Sequence, residues 1–266
     1  MFLSLKIEKE LKKLSTKERA KSNAWFFKTG IGHESADSRL GRKSNMDLFL
    51  GVTVPNTRSV VRNNLKELKL EDLVILLQSK YHEVRLASVI GFVELMKKAI
   101  RDSDTCPAKR DCEVWEKLQK KIFDTYLKNT NRINNWDLVD VSASQVVGYY
   151  ISEKMEHEER LKIINRLINS KNLWENRIIV VATFYQIKKG NEKMIYYVAE
   201  KLLNHKHDLM HKAIGWMLRE VGKNCGIETL NIFLKKHYKN IPRTTLRYAI
   251  ERHHPTERAK ILKGIW

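Results

Sequence analysis

Apolar residues recur at three- and four-residue spacing along almost the whole chain, the pattern of helices that bury one face. The spacing predicts helices over Leu3–Phe27, Pro55–Lys66, Glu71–Lys80, Glu83–Arg101, Cys112–Lys128, Trp136–Ile151 and Glu156–Ile168 in the first part of the chain. It predicts Leu173–Lys189, Glu192–Leu203, Asp208–Gly222, Ile227–Lys236, Arg243–Arg252 and Thr256–Leu262 in the rest. Glycine is sparse and proline occurs only at 55, 107, 242 and 255. Pro55, Pro242 and Pro255 fall at helix starts, where a missing amide hydrogen costs little. Two stretches break the pattern: 28–47, rich in Gly, Ser and Asp, and 102–111, which carries Cys106 and Pro107. Both read as loops.

The tight connections imply short antiparallel helix pairs. Pairs recurring roughly every 40 residues fit an all-α, HEAT-like repeat solenoid, whose stacked pairs share a core and leave a concave face for an extended ligand. At 266 residues, such an array is expected to be one domain over 1–266.

Charge narrows the partner. Fifty Lys and Arg stand against 31 Asp and Glu, a formal net charge of +19. Nucleic acid is the leading partner, because phosphate neutralisation and counterion release supply affinity independent of sequence. An acidic membrane surface is a weaker fit, and a merely basic protein is the bland alternative. Met1–Leu5 give way at once to Lys6, Glu8, Lys9 and Glu10, too short for a secretory apolar region. No run approaches transmembrane length. Cys106, Cys112 and Cys225 form no CxxC pair and suggest no disulfide framework, so a reducing, cytoplasmic setting is expected.

The most informative stretch is Asn134–Asp140, Asn-Asn-Trp-Asp-Leu-Val-Asp. With a helix capped near Asn135, Trp136 and Asp140 share one face. Val139, Ala143, Val146, Val147 and Tyr150 mark the buried side, with Trp136 inside that stripe, Asp140 at its border and Asp137 pointing away. Asp137 and Asp140 are the only carboxylates between Asp124 and Glu153.

In Asp208–Gly222, Met210, Ile214, Met217 and Val221 form the core stripe, and Trp216 falls roughly 120° from Met210, on the flank of Lys212 and Arg219. A tryptophan between two cations suits a ligand surface; burial by a neighbouring helix is the structural alternative. In Leu173–Lys189, Arg177 and Lys188 edge the stripe of Trp174, Ile178, Val181, Ala182 and Tyr185, with Phe184 beside them. Arg177 could clamp a phosphate or form an ordinary ion pair with Glu175 or Asp140. From His205 to His254, ten Lys or Arg face four carboxylates, and Arg243 and Arg247 stand one turn apart after Pro242. His205, His207 and His211 invite a zinc reading, but no cysteine lies near and Asp208 suits a helix cap better, so no metal is expected.

Together these runs resemble the AlkD-like DNA alkylation repair glycosylases. The resemblance rests on Asn134–Asp140, on Arg177–Gly190 (RIIVVATFYQIKKG) and on His207–Gly222 (HDLMHKAIGWMLREVG). It extends to Phe27–Gly30 (FKTG), Phe49–Pro55 (FLGVTVP), His82–Ala87 (HEVRLA) and Pro242–Glu251 (PRTTLRYAIE), covering nearly the whole chain in order. It implies a curved HEAT-like solenoid gripping duplex DNA in its concave face and excising N3- and N7-alkylated purines, such as 3-methyladenine and 7-methylguanine.

By position, Trp136, Asp140 and Trp216 match the family's catalytic aromatic and acidic residues, and Arg177 its active-site arginine. Lys188, Lys212, Arg219, Arg243 and Arg247 are the expected DNA contacts. Asn176 stands where many relatives carry a second arginine, Ser144 replaces a common proline, and the loop 102–111 looks long. The expected protein is a monofunctional hydrolase, without cofactor, metal or membrane, monomeric, and acting on alkylated duplex DNA. A non-catalytic HEAT-like nucleic-acid-binding module is the alternative; a helical protein-interaction scaffold would need neither the charge nor the tryptophan between cations.

Overall fold

A computed structural model of the protein describes residues 2–29, 47–106 and 109–266, and among these every regular element is helical, apart from a single bridge between Leu48 and Tyr81. The fold is therefore all-α, as the periodicity predicts. The chain forms two compact units, Met1–Val146 and Val147–Trp266.

The first unit comprises α1 (Leu3–Lys13), α2 (Lys17–Thr29), α3 (Val54–Asn63), α4 (Leu70–Leu77), α5 (His82–Asp104), α6 (Lys109–Lys128), a 3-10 turn (Thr130–Arg132) and α7 (Trp136–Ala143). Helix α5 is its centre, and α3, α4, α6 and α7 pack around it. The reason lies in its composition: from His82 to Val93 every residue is buried, the mark of a helix enclosed on all sides. Four polar residues in that run, His82, Glu83, Arg85 and Ser88, must then find partners inside the protein, and Ser88 donates to the Leu73 carbonyl (2.7 Å).

Three expectations change here. The long helix over Leu3–Phe27 breaks between Lys13 and Lys17, because the Thr16 amide donates to the Leu50 carbonyl (3.2 Å) and its hydroxyl to that of Gly51 (3.3 Å). Gly51 takes φ +79°, and a Cβ there would lie 2.2 Å from the Thr16 carbonyl oxygen and 2.5 Å from the Ala20 nitrogen, so only glycine fits. The loop expected at 28–47 falls largely outside the described residues, although α2 runs on through Thr29. The loop expected at 102–111 is mostly helix, since α5 reaches Asp104 and α6 begins at Lys109. Cys106 and Cys112 form a disulfide, with Cα atoms 5.6 Å apart, which overturns the expectation that no cysteine pair forms.

Beyond α7, Ser144–Gly148 form a π turn rather than continuing one regular helix through Ile151. The second unit then contains α8 (Tyr149–Glu153), α9 (His157–Ile168), α10 (Leu173–Ala182), α11 (Phe184–Ile187), α12 (Lys193–Leu202), α13 (Asp208–Asn224), α14 (Ile227–His237), α15 (Arg243–Ala249) and α16 (Pro255–Leu262). The helix expected over Leu173–Lys189 is interrupted at Thr183, whose hydroxyl donates back to the Val180 carbonyl (2.6 Å).

Helix α13 is the second unit's centre, packed against α10, α11, α12, α14 and α15. Its cap is His207, not Asp208: His207 Nδ1 accepts from the Leu209 amide (3.1 Å), and Asp208 instead pairs with Lys212 (2.7 Å). Gly215 sets the closeness of α13 to α15, because a Cβ there would meet Tyr248 Cβ at 2.5 Å and the Thr245 carbonyl oxygen at 2.7 Å. Gly215→Ala must push the two helices apart, so we expect a loss of about 1–3 kcal/mol, the usual cost of overpacking. A urea midpoint at or above that of the native protein would show that the crossing yields freely.

Candidate active site

The first turn of α7 is held from three directions. Asn135 caps it, accepting from the Trp136 amide through its side-chain oxygen (2.8 Å), as the sequence predicts. Asn134 accepts from the guanidinium of Arg85, which also donates to the Arg132 carbonyl (3.5 Å) and forms an ion pair with Asp47. Asp137 turns away from Asp140 and accepts from Nε2 of His82 (2.7 Å). The other ring nitrogen of His82 meets Asp47 (3.1 Å), so the imidazole bridges two carboxylates.

Burial alone would keep this histidine neutral. The charge and hydrogen bond of Asp137, followed by those of Asp47, outweigh burial and raise its pKa to about 9, so His82 is an imidazolium at neutral pH. Burial also opposes ionisation of Asp47, but His82 and Arg85 together hold its carboxyl below the ordinary range. The segment bearing Asp47 is pinned to the start of α5: the Leu48 amide donates to Lys80 and the His82 amide to Leu48. Glu83 completes the anchorage by accepting from the amides of Leu50 (2.8 Å) and Gly51 (2.9 Å).

Rings cover this polar layer. Phe27 stacks on Trp136 with centroids 5.7 Å apart, and lies 4.7 Å from the His82 ring; Phe49 stacks on His82 at 5.0 Å. Phe26 meets Trp136 edge-on at 6.2 Å. Trp136 is thus partly exposed at the rim of an aromatic cluster rather than enclosed within the helical stripe. Asp140, one turn further on, is also partly exposed. Beneath it the Tyr126 hydroxyl hydrogen-bonds Ser142 (2.7 Å); burial, with the Asp140 charge adding to it, pushes the ionisation of Tyr126 up, so the phenol stays neutral.

In the second unit Trp216 is likewise partly exposed and off the core stripe, as expected. Its ring lies 6.0 Å from Phe184, and the ammonium of the exposed Lys188 sits 4.4 Å over the other ring of that pair, Phe184. Lys212 and Arg219 flank Trp216 but already meet carboxylates, Asp208 and Glu251 respectively.

Arg177 is buried rather than at an edge, and donates to the Leu209 carbonyl (2.7 Å). Asn176 is buried too, and its amide donates to the carbonyls of Leu167 (2.7 Å), Ile168 (2.9 Å) and Ser170 (3.2 Å), closing the end of α9. The Asn176 side chain is thereby committed to the end of α9. Arg243 and Arg247 are exposed, with Arg243 donating to the Leu262 carbonyl (2.7 Å). His205 and His211 join His207 around the start of α13, His211 contacting the His205 carbonyl.

Sequence reasoning overlooked Asp47, His82, Arg85 and Asn134, and assigned Asp137 no partner. For His82 and Arg85 a signal existed: charged residues interrupting the largely apolar run from His82 to Val93.

An all-α protein of packed helix pairs, strongly basic and carrying a tryptophan and an aspartate one turn apart over a charged framework, has the build of a nucleic-acid enzyme. This chain belongs to the DNA alkylation repair enzyme family, whose model matches residues 7–253. Family membership makes DNA alkylation repair its role and DNA its substrate. A solved structure described as a predicted DNA alkylation repair enzyme from Enterococcus faecalis has a similar fold, with a TM-score of 0.62 at 14% identity. The match covers 91% of this chain and 97% of that one. No curated protein matches the sequence. Among the described residues, no helix is long and apolar enough to cross a membrane.

Proposed function

We propose that the protein is a monofunctional DNA glycosylase that hydrolyses the N-glycosidic bond of cationic N3- or N7-alkylated purines and leaves an abasic site. The observation that carries this reading is the placement of Asp140 one turn from Trp136, both partly exposed, on a helix start locked by Asn135, Asp137 and His82. Alkylation already makes the purine a cationic leaving group. What remains is to stabilise positive charge on the sugar and deliver water, which one ionised carboxylate can do. Trp136 would set its ring face against the cationic nucleotide; for Trp216 and Arg177 a part in the reaction rests on the family pattern alone.

The test is release of 7-methylguanine from a duplex carrying one lesion, with the strand analysed for breaks before any alkaline treatment. Free base with an intact abasic strand supports the reading. Coupled strand cleavage would replace it with lyase chemistry, and tight binding without release would favour a non-catalytic nucleic-acid-binding module.

The basic surface makes its own prediction. Lys188 leans over an aromatic ring, whereas Lys212 and Arg219 are already neutralised by Asp208 and Glu251. Lys188→Ala should therefore lower the slope of log affinity against log salt by about one, with a smaller change for Arg219→Ala. Equal slopes for both variants and the native protein would remove Lys188 from the DNA interface.

A further inference from the structure

The aromatic rim that carries Trp136 rests on a buried charged residue, His82. We infer that His82 is a positioning residue for base release: as a protonated bridge between Asp47 and Asp137, it fixes the first turn of α7 and, through Phe27, the ring of Trp136. This inference rests on the glycosylase reading for its effect on catalysis, but not for the coupling itself.

Two independent contacts run from His82 to the rim. The first is polar. Nε2 donates to Asp137, the residue immediately after Trp136, while Nδ1 donates to Asp47 from the segment before α3. Only the doubly protonated ring can donate to both carboxylates at once. Loss of one proton would set a nitrogen lone pair against a part-buried carboxylate and release one of the two elements. The second route is through rings. His82 lies 4.7 Å from Phe27 and 5.0 Å from Phe49, so its cation faces aromatic surfaces, and Phe27 stacks on Trp136.

Among the described residues, the following charged and polar groups surround His82 and its two carboxylates. Helix α5 supplies Glu83, occupied by the Leu50 and Gly51 amides, and Arg85, paired with Asp47; α7 supplies Asp137; the 3-10 turn supplies Arg132; and α2 supplies the neutral Asn23, hydrogen-bonded to Glu83. Two carboxylates therefore face the imidazolium directly, and the guanidinium of Arg85 shares one of them. With the folded pKa near 9 against an ordinary 6.5, the bridge contributes fully below about 6.5 and is lost as pH rises through about 9.

The experiment follows the native protein from pH 6 to 10.5. The His82 ring proton and the Trp136 indole N–H are read by NMR, the latter assigned by its disappearance in Trp136→Phe. Release of 7-methylguanine is measured alongside, with each rate divided by that of His82→Gln at the same pH so that ionisation of the lesion cancels. We expect both resonances to shift with one midpoint near 9. The rate ratio should fall about tenfold or more over the same window, the scale of loss when a reacting group is displaced slightly.

Asp137→Asn should move the resonance midpoint and the fall in its own rate together towards neutral pH, because it removes the nearer charge. A purely structural histidine would not produce that joint displacement. An indole signal that ignores the His82 titration overturns the inference, as does an Asp137→Asn midpoint that stays where it was. If His82→Gln does not fold, the native protein and Asp137→Asn still decide the matter. Absence of base release at every pH, with indole and imidazole titrating together, would sink the glycosylase reading while leaving the hold on Trp136 standing.

Discussion

Asp140→Asn should lose roughly a hundredfold or more in the rate of 7-methylguanine release while keeping its fold and its affinity for DNA. Asparagine preserves the shape of the side chain and removes only its charge. Helix α7 would stay in register, since its start is fixed by Asn135 and by the pairing of Asp137 with His82, neither of which involves Asp140. The size of the effect follows from Coulomb's law. A carboxylate about 4 Å from a developing sugar cation, at an effective dielectric near 20, is worth about 4 kcal/mol. About two-thirds of that, felt only in the transition state, already amounts to a hundredfold change in rate. Release should be compared at protein concentrations that saturate the DNA, so that binding does not enter. Near-normal release by Asp140→Asn would remove Asp140 from the chemistry, whereas equal loss of release and of binding would assign it to grip.

Asp137→Asn is chemically the same change three residues earlier, and its expected result differs. Sequence periodicity distinguishes the two aspartates only by direction: Asp140 borders the apolar stripe and Asp137 points elsewhere. The structure gives that direction its meaning, because elsewhere turns out to be a buried imidazolium rather than solvent. A helical repeat pattern reports which face is enclosed, but not which distant residue encloses it. The partners of His82 are 35 and 55 residues away, and nothing local encodes such a distance.

The same limit explains the other differences. The cap at Asn135 and the helix starts at Pro55 and Pro255 were legible because each depends on neighbours within one turn. The break at 14–16 was not, because it is imposed by the carbonyls of Leu50 and Gly51. Trp216 could be placed off the core by angle alone, yet the ring beside it, Phe184, belongs to another helix. Arg177 looked like an edge residue because cations usually are. Its burial reflects the packing of α10 against α9, α12 and α13, which encloses every side chain from Asn176 to Ala182. Membership of the family was readable from ordered motifs, since these record partners that periodicity alone does not reveal.

Arg85→Ala should be the most destabilising of these substitutions, by about 3–5 kcal/mol, the cost of removing one partner from a buried charge pair. Arg85 is 1% exposed, and its guanidinium joins Asp47 to a segment far away in sequence, through the Arg132 carbonyl and Asn134. Alanine would leave the part-buried Asp47 with only His82 as a counter-charge, Asn134 without its donor, and a cavity beside α7. Arg85→Lys should recover only part of the loss, because an ammonium is a point charge and cannot span the three acceptors as a planar fork does. Urea unfolding of the two variants measures both steps. If Arg85→Ala unfolds within about 0.5 kcal/mol of the native protein, the range of an ordinary surface change, then the framework beneath Trp136 does not depend on this ion pair. A large loss with Arg85→Lys as poor as alanine would instead make the fork geometry, rather than the charge, the quantity that holds Asp47 to α7.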